Sequence, residues 1–221
     1  MAQELFDAIR ADDKDKVAQL IAANPSLARA RNEAGISALM QARYGFRPEI
    51  VELLRNAVGD LDVFEAAALG DVPRLHALLA NDPGLANSFS SDGFTALHLA
   101  AFFGQPAAVE ALLHYAPDVN AVSRNPMKVA VINAAAASRN LEVVKLVLQA
   151  GANPDAQQQA GYTALHEAAV NNNAELAKAL LSAAADPRIR SDAGQTAAEM
   201  AREKGHNEIA EMVEGKKPKL G

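Results

Sequence analysis

Residues 92–113 read Asp-Gly-Phe-Thr-Ala-Leu-His-Leu-Ala-Ala-Phe-Phe-Gly-Gln-Pro-Ala-Ala-Val-Glu-Ala-Leu-Leu, and their apolar positions fall into two short blocks. Thr95 is placed to cap the first block, its hydroxyl accepting from the backbone two or three residues on. The spacing predicts a helix over residues 96–103, stopped by Gly104. Pro106 suits the first turn of a second helix, in which Val109, Leu112 and Leu113 share one face. The result is a pair of short antiparallel helices. Gly93 gives the tight turn ahead of the pair its backbone freedom, and Asp118-Val-Asn120 leads to the next turn.

The unit recurs. Thr95-Ala-Leu-His98 reappears 68 residues on as Thr163-Ala-Leu-His166, and Thr196-Ala-Ala-Glu199 follows 33 residues later, so a copy is due near residue 130. A period of about 33 residues implies helix pairs stacked in a row. The N-terminal half repeats at an offset of 58: Gly35-Ile-Ser-Ala-Leu39 matches Gly93-Phe-Thr-Ala-Leu97, and Phe6, Val17 and Leu20 map onto Phe64, Leu75 and Leu78. Asn24-Pro25 and Asp82-Pro83 end an outer helix and begin a long connection. The unit holding Ile50 and Leu54 runs into the next with little room for a hairpin. Seven units follow, at about 2–31, 32–58, 59–88, 89–121, 122–155, 156–188 and 189–215. They are expected to form one domain over residues 1–215, with a basic tail at 216–221. Both end units are polar, as in Asp12-Asp-Lys-Asp-Lys16 and Ala201-Arg-Glu-Lys-Gly-His-Asn-Glu208, which suits caps and leads to the expectation of a whole array.

Three segments carry a likeness to a known family: Asp92-Gly-Phe-Thr-Ala-Leu-His-Leu-Ala-Ala101, Gly161-Tyr-Thr-Ala-Leu-His-Glu-Ala-Ala169 and Val143-Val-Lys-Leu-Val-Leu-Gln-Ala-Gly-Ala-Asn-Pro-Asp155. They resemble the ankyrin repeat. The copy due near residue 130 reads Ala130-Val-Ile-Asn-Ala-Ala-Ala, with Ala130 and Asn133 in place of the Thr and His, while its apolar register survives. The resemblance implies an all-α ankyrin-repeat solenoid. It also implies that His98 and His166, with Thr95 and Thr163, make local hydrogen bonds that hold the loops and join neighbouring units. The hairpin tips and the open side of the inner helices would line a concave face. Phe94, Phe102, Phe103 and Tyr162 then fall near that face, with Met127 and Lys128 at the neighbouring hairpin. Ile36, Tyr44 and Phe46 hold the matching positions one block earlier, where Gly45 leaves one residue of play in the alignment. These nine residues are the candidate protein-binding set. For Phe46 and Phe103, packing between helices is an equal alternative.

Composition narrows the function. Of 221 residues half are apolar, mostly Ala, Leu and Val, with 5% aromatic residues and no Trp, a mixture that suits helices packed closely. Without Cys there are no disulfides, thiolate metal sites or Cys nucleophile. The formal charge of -6 comes from the first half, and no basic stripe awaits a nucleic acid; Lys216-Lys-Pro-Lys219 reads as a solubilising end. No secretory signal and no run of 18 apolar residues occurs, so the cytoplasm is the expected compartment.

Catalytic features are lacking as well. No glycine pattern fits a nucleotide loop, and Asp12, Asp13 and Asp15 lack the later Gly and Glu of a calcium loop. His98 and His166 would stand about 20 Å apart at the roughly 10 Å spacing of packed helices, too far to share a metal. His76, His114 and His206 show no ligand spacing, and Asn171-Asn-Asn173 reads as a turn. The expectation is a non-enzymatic, monomeric module without cofactor or metal. It would bind an unidentified protein, and no nucleic acid or membrane, through the groove and hairpin tips. A regulatory subunit or inhibitor covering an enzyme's active site is the alternative. An enzyme or metal protein on the same scaffold would need convergent polar groups that the sequence lacks.

Overall fold

The computed structural model describes residues 1–215, so the basic tail beginning at Lys216 lies outside the described residues. Among them are fourteen α-helices in seven consecutive pairs. The inner helices are α1 (Ala2–Arg10), α3 (Ala38–Tyr44), α5 (Val63–Leu69), α7 (Ala96–Phe102), α9 (Val131–Ala137), α11 (Ala164–Val170) and α13 (Ala197–Glu203). Their outer partners are α2 (Lys14–Ala23), α4 (Pro48–Val58), α6 (Val72–Asn81), α8 (Pro106–Leu113), α10 (Leu141–Gln149), α12 (Ala174–Ser182) and α14 (Asn207–Val213). Every inner helix packs on its own partner and, up to α11, on the next inner helix, giving two layers.

The boundaries come from side-chain chemistry. Ser37, Asp62, Thr95, Thr163 and Thr196 each accept a hydrogen bond from the first turn of the inner helix that follows. Pro48, Pro73 and Pro106 stand in the first turn of an outer helix, where a missing N–H costs nothing. The helix expected over residues 96–103 ends one residue sooner, with Phe103 as its C-cap and Gly104 at φ +65° just beyond. After α2 and α6, Asn24 and Asp82 cap short 3-10 turns, Pro25–Arg29 and Pro83–Asn87, which are the long connections expected there.

Hairpins precede most inner helices. Isolated antiparallel bridges join Arg31 to Ser37, Phe89 to Thr95, Val122 to Ala130 and Arg190 to Thr196. Successive tips are tied by main-chain bonds: Arg124 N to Gly93 O at 2.8 Å, Gln159 N to Met127 O at 2.8 Å and Asp192 N to Ala160 O at 2.9 Å. Gly93, at φ +84°, is required twice over, since a Cβ there would lie 3.0 Å from the Arg124 carbonyl carbon. The link before α5 has no such bridge. It runs through Gly59, at φ +72°, and buried Leu61 straight into the Asp62 cap.

A single apolar cluster runs from Leu5 to Val213. Alanines such as Ala66, Ala100, Ala135 and Ala168 are fully buried between inner helices and let the backbones approach, while Leu39, Leu54, Leu75, Leu97 and Leu112 fill the space between layers. Leu97 is 0% exposed, so Leu97→Ala should cost about 2–5 kcal/mol through lost burial and the cavity left behind. Urea denaturation measures it, and a neutral result would contradict the register.

Candidate groove on the inner-helix face

The inner helices place equivalent side chains in rows. The position of Phe102 in α7 is held by Tyr44 in α3 and by Ala137 in α9, and that of Leu99 by Ala134 in α9. Bulky residues thus give way to small ones along the stack. A groove of about 330 Å³ opens at that step, lined by Tyr44, Phe94, His98, Leu99, Phe102, Met127, Val129, Ala134, Ala137 and Gln158. The alanine run of α9 provides its floor. Met127, Val129 and Gln158 come from the following hairpins, and the wall at Tyr44 comes from two helix pairs earlier.

Polar bonds fix this wall. The Tyr44 hydroxyl donates to Asp92 Oδ2 at 2.6 Å, and burial, then the Asp92 carboxylate, push its pKa up, so the donor keeps its proton. His98 Nδ1 accepts from the Thr95 N–H at 3.3 Å, which leaves Nε2 to donate to Val129 O of the next hairpin at 3.0 Å. His166 repeats the arrangement with the Thr163 N–H at 3.2 Å and Gln195 O at 3.1 Å. Both rings are buried joints between neighbouring units.

The unit that departs from the pattern keeps the joint by other means. Asn133 Oδ1 accepts from the Ala130 N–H at 3.2 Å, and its Nδ2 donates to Ala156 O at 3.3 Å. An amide offers one acceptor and one donor on opposite sides, as the neutral imidazole does. What Ala130 loses is the hydroxyl cap alone.

Of the nine candidates, Tyr44, Phe94, Phe102 and Met127 line the groove. Phe103 is packed, edge-on to Phe102 at 5.0 Å and beneath the Arg43 guanidinium at 4.4 Å. Phe46 does not join them. Its φ of +54° matches the +65° of Gly104, so Gly45 is the counterpart of Phe103, and Phe46 projects 70% exposed from the turn between α3 and α4. That corrects the expectation that Phe46 faces the groove. Ile36 lies in a separate recess of about 240 Å³ with Arg31, Asp62 and Phe64. Lys128 is exposed on the tip that carries Met127, and Tyr162 leans on the His166 ring at 5.6 Å, outside the lining although its hairpin contributes Gln158. His98, Leu99, Val129, Ala134, Ala137 and Gln158 complete the lining, and the alanine run is the sequence signal for two of them.

Among the described residues, no group of three His, Asp or Glu side chains is placed to hold a metal ion, and no helix is long and apolar enough to cross a membrane.

A family model described as ankyrin repeats (3 copies) matches residues 5–123, 63–152 and 131–219. The chain is 43% identical over 95 residues to the probable E3 ubiquitin-protein ligase XBOS31 of Oryza sativa subsp. japonica, a stretch covering 42% of this chain and 21% of that protein. It is 32% identical over 103 residues to the ankyrin repeat and SAM domain-containing protein 6 of Rattus norvegicus, covering 47% of this chain and 12% of that protein. The matched stretches thus span about a fifth and about an eighth of these relatives.

Burial lowers the pKa of both His98 and His166 against weaker opposing effects of their backbone bonds. The folded chain therefore binds fewer protons at these rings than the unfolded chain. Their contribution to stability is whole above the unfolded value of about 6.5 and is lost as pH falls through the lower folded values. Replacing both by Asn, the residue that works at position 133, should shrink the drop in urea midpoint between about pH 7.5 and about pH 5.5. An unchanged drop would contradict the assignment.

Proposed function

Because the chain belongs to the ankyrin repeat family, we propose that it is a non-enzymatic protein-binding module whose partner docks an apolar side chain into the groove between Phe102 and Ala137. The observation that carries this reading is an apolar recess at the surface, walled by Phe94 and Phe102 and by the Tyr44 and His98 rings, whose positions are set by hydrogen bonds. Burying one Leu- or Phe-sized side chain there is worth about 1.5–3 kcal/mol, roughly 10- to 150-fold in affinity. The rigid stack limits the ordering cost of docking. Aromatic anchors also suit the centre of an interface. The likeness to a protein named as a probable ligase lies in a 95-residue stretch and supports the repeat scaffold.

Ala137 is exposed at the end of α9, so Ala137→Trp fills the groove without removing a core contact. Proteins captured from a cell extract by the immobilised chain should be lost with Ala137→Trp and with Phe102→Ala. They should be retained with Lys145→Ala, an exposed change on α10. Circular dichroism confirms that each variant is folded. Capture that survives in folded Ala137→Trp would remove the groove from the reading.

A further inference from the structure

The junction between the second and third helix pairs is built unlike the others. Outer helices pack on their successors from α2 to α4 and along α6, α8, α10, α12 and α14, but α4 does not pack on α6 in this way, and α3 on α5 is the least extensive inner contact. Polar bonds cross this junction beside the buried Val58, Leu61 and Val63. Arg55 of α4 pairs with Asp71 at 2.8 Å, Arg31 pairs with Asp62 at 2.9 Å, and the Ser37 hydroxyl donates to Glu65 Oε1 at 2.6 Å.

Contacts also skip a unit here. With no hairpin before α5, and with its turn one residue shorter so that Gly70, at φ +74°, stands in the place of Gly104 and Phe103 has no counterpart, side chains of the second pair reach the fourth. Tyr44 bonds Asp92, Arg43 covers the Phe103 ring while its Nε donates to Ala68 O of α5 at 3.1 Å, and the Tyr44 and Phe103 rings stand 5.7 Å apart. The tips meet as well, since a Cβ on Gly35 would lie 2.9 Å from Ser91 Cβ. In a linear stack each unit ordinarily touches its neighbours alone.

We propose that the first two helix pairs form a block that swings on the link at residues 59–62, and that the clasp of Arg43 and Tyr44 on the fourth pair holds this block in place. Contact between successive helices is least extensive at that junction, so it is where the array parts most readily. Gly59, at φ +72° and ψ −97°, supplies the pivot. Tyr44 rides on the moving block while the rest of the lining belongs to the other, so the clasp sets how far the groove is open. The consequence for partner binding rests on the function proposed above; the motion itself does not.

The chain has no Cys, so paired spin labels can be placed without background. One pair, Glu52→Cys and Ala77→Cys, spans α4 and α6; a control pair, Glu110→Cys and Glu142→Cys, spans α8 and α10. All four positions are exposed. Distance distributions measured by pulsed electron resonance, with no partner present, should show one narrow population for both pairs in the otherwise unaltered chain. Tyr44→Phe, and Tyr44→Phe combined with Arg43→Ala, should broaden the α4–α6 distribution and leave the control unchanged. No broadening in either variant, or equal broadening in both pairs, would overturn the proposal.

Discussion

Helices of seven to eleven residues are too short to persist alone in water, and all fourteen here are of that length. Each is held by its partner and by the helices of adjoining pairs, so contact between neighbours is the constraint on which the fold depends. The N-cap residues fix where each helix begins, the buried alanines set how closely the inner helices stack, and the leucines between layers supply most of the apolar burial. His98, Asn133 and His166 then tie α7, α9 and α11 to the loop of the next unit, so that packing and polar bonding agree on one register.

The groove is a by-product of that regularity and one departure from it. Where α7 presents Phe102 and Leu99, α9 presents Ala137 and Ala134, and the loss of side-chain volume leaves a recess while the backbone continues undisturbed. The same unit dispenses with the Thr and His of its neighbours, yet Asn133 preserves the inter-unit bond. Surface shape has therefore changed without a change in the scaffold.

Much of the architecture is legible in the chain. Thr95 and Thr163 mark helix starts, the prolines at positions 48 and 106 mark outer helices, and the short span after Leu54 announces a missing hairpin. The groove is legible in part, through Tyr44, Phe94, Phe102 and Met127. Phe46 escapes such a reading because pattern alone cannot decide which residue takes the left-handed turn, and Gly45 invites the wrong choice. The reach of Arg43 and Tyr44 over an entire unit is hidden because it depends on what α5 lacks, a hairpin before it and a residue in the place of Phe103 after it.

Native-state hydrogen exchange resolved along the chain tests neighbour dependence most directly. The account predicts that protection is greatest in the middle of the stack, where α7, α9 and α11 each have inner neighbours on both sides, and that α1 to α4 open together at a lower free energy than that middle. Uniform protection across all seven pairs, or α1 to α4 as the slowest segment to exchange, would contradict it.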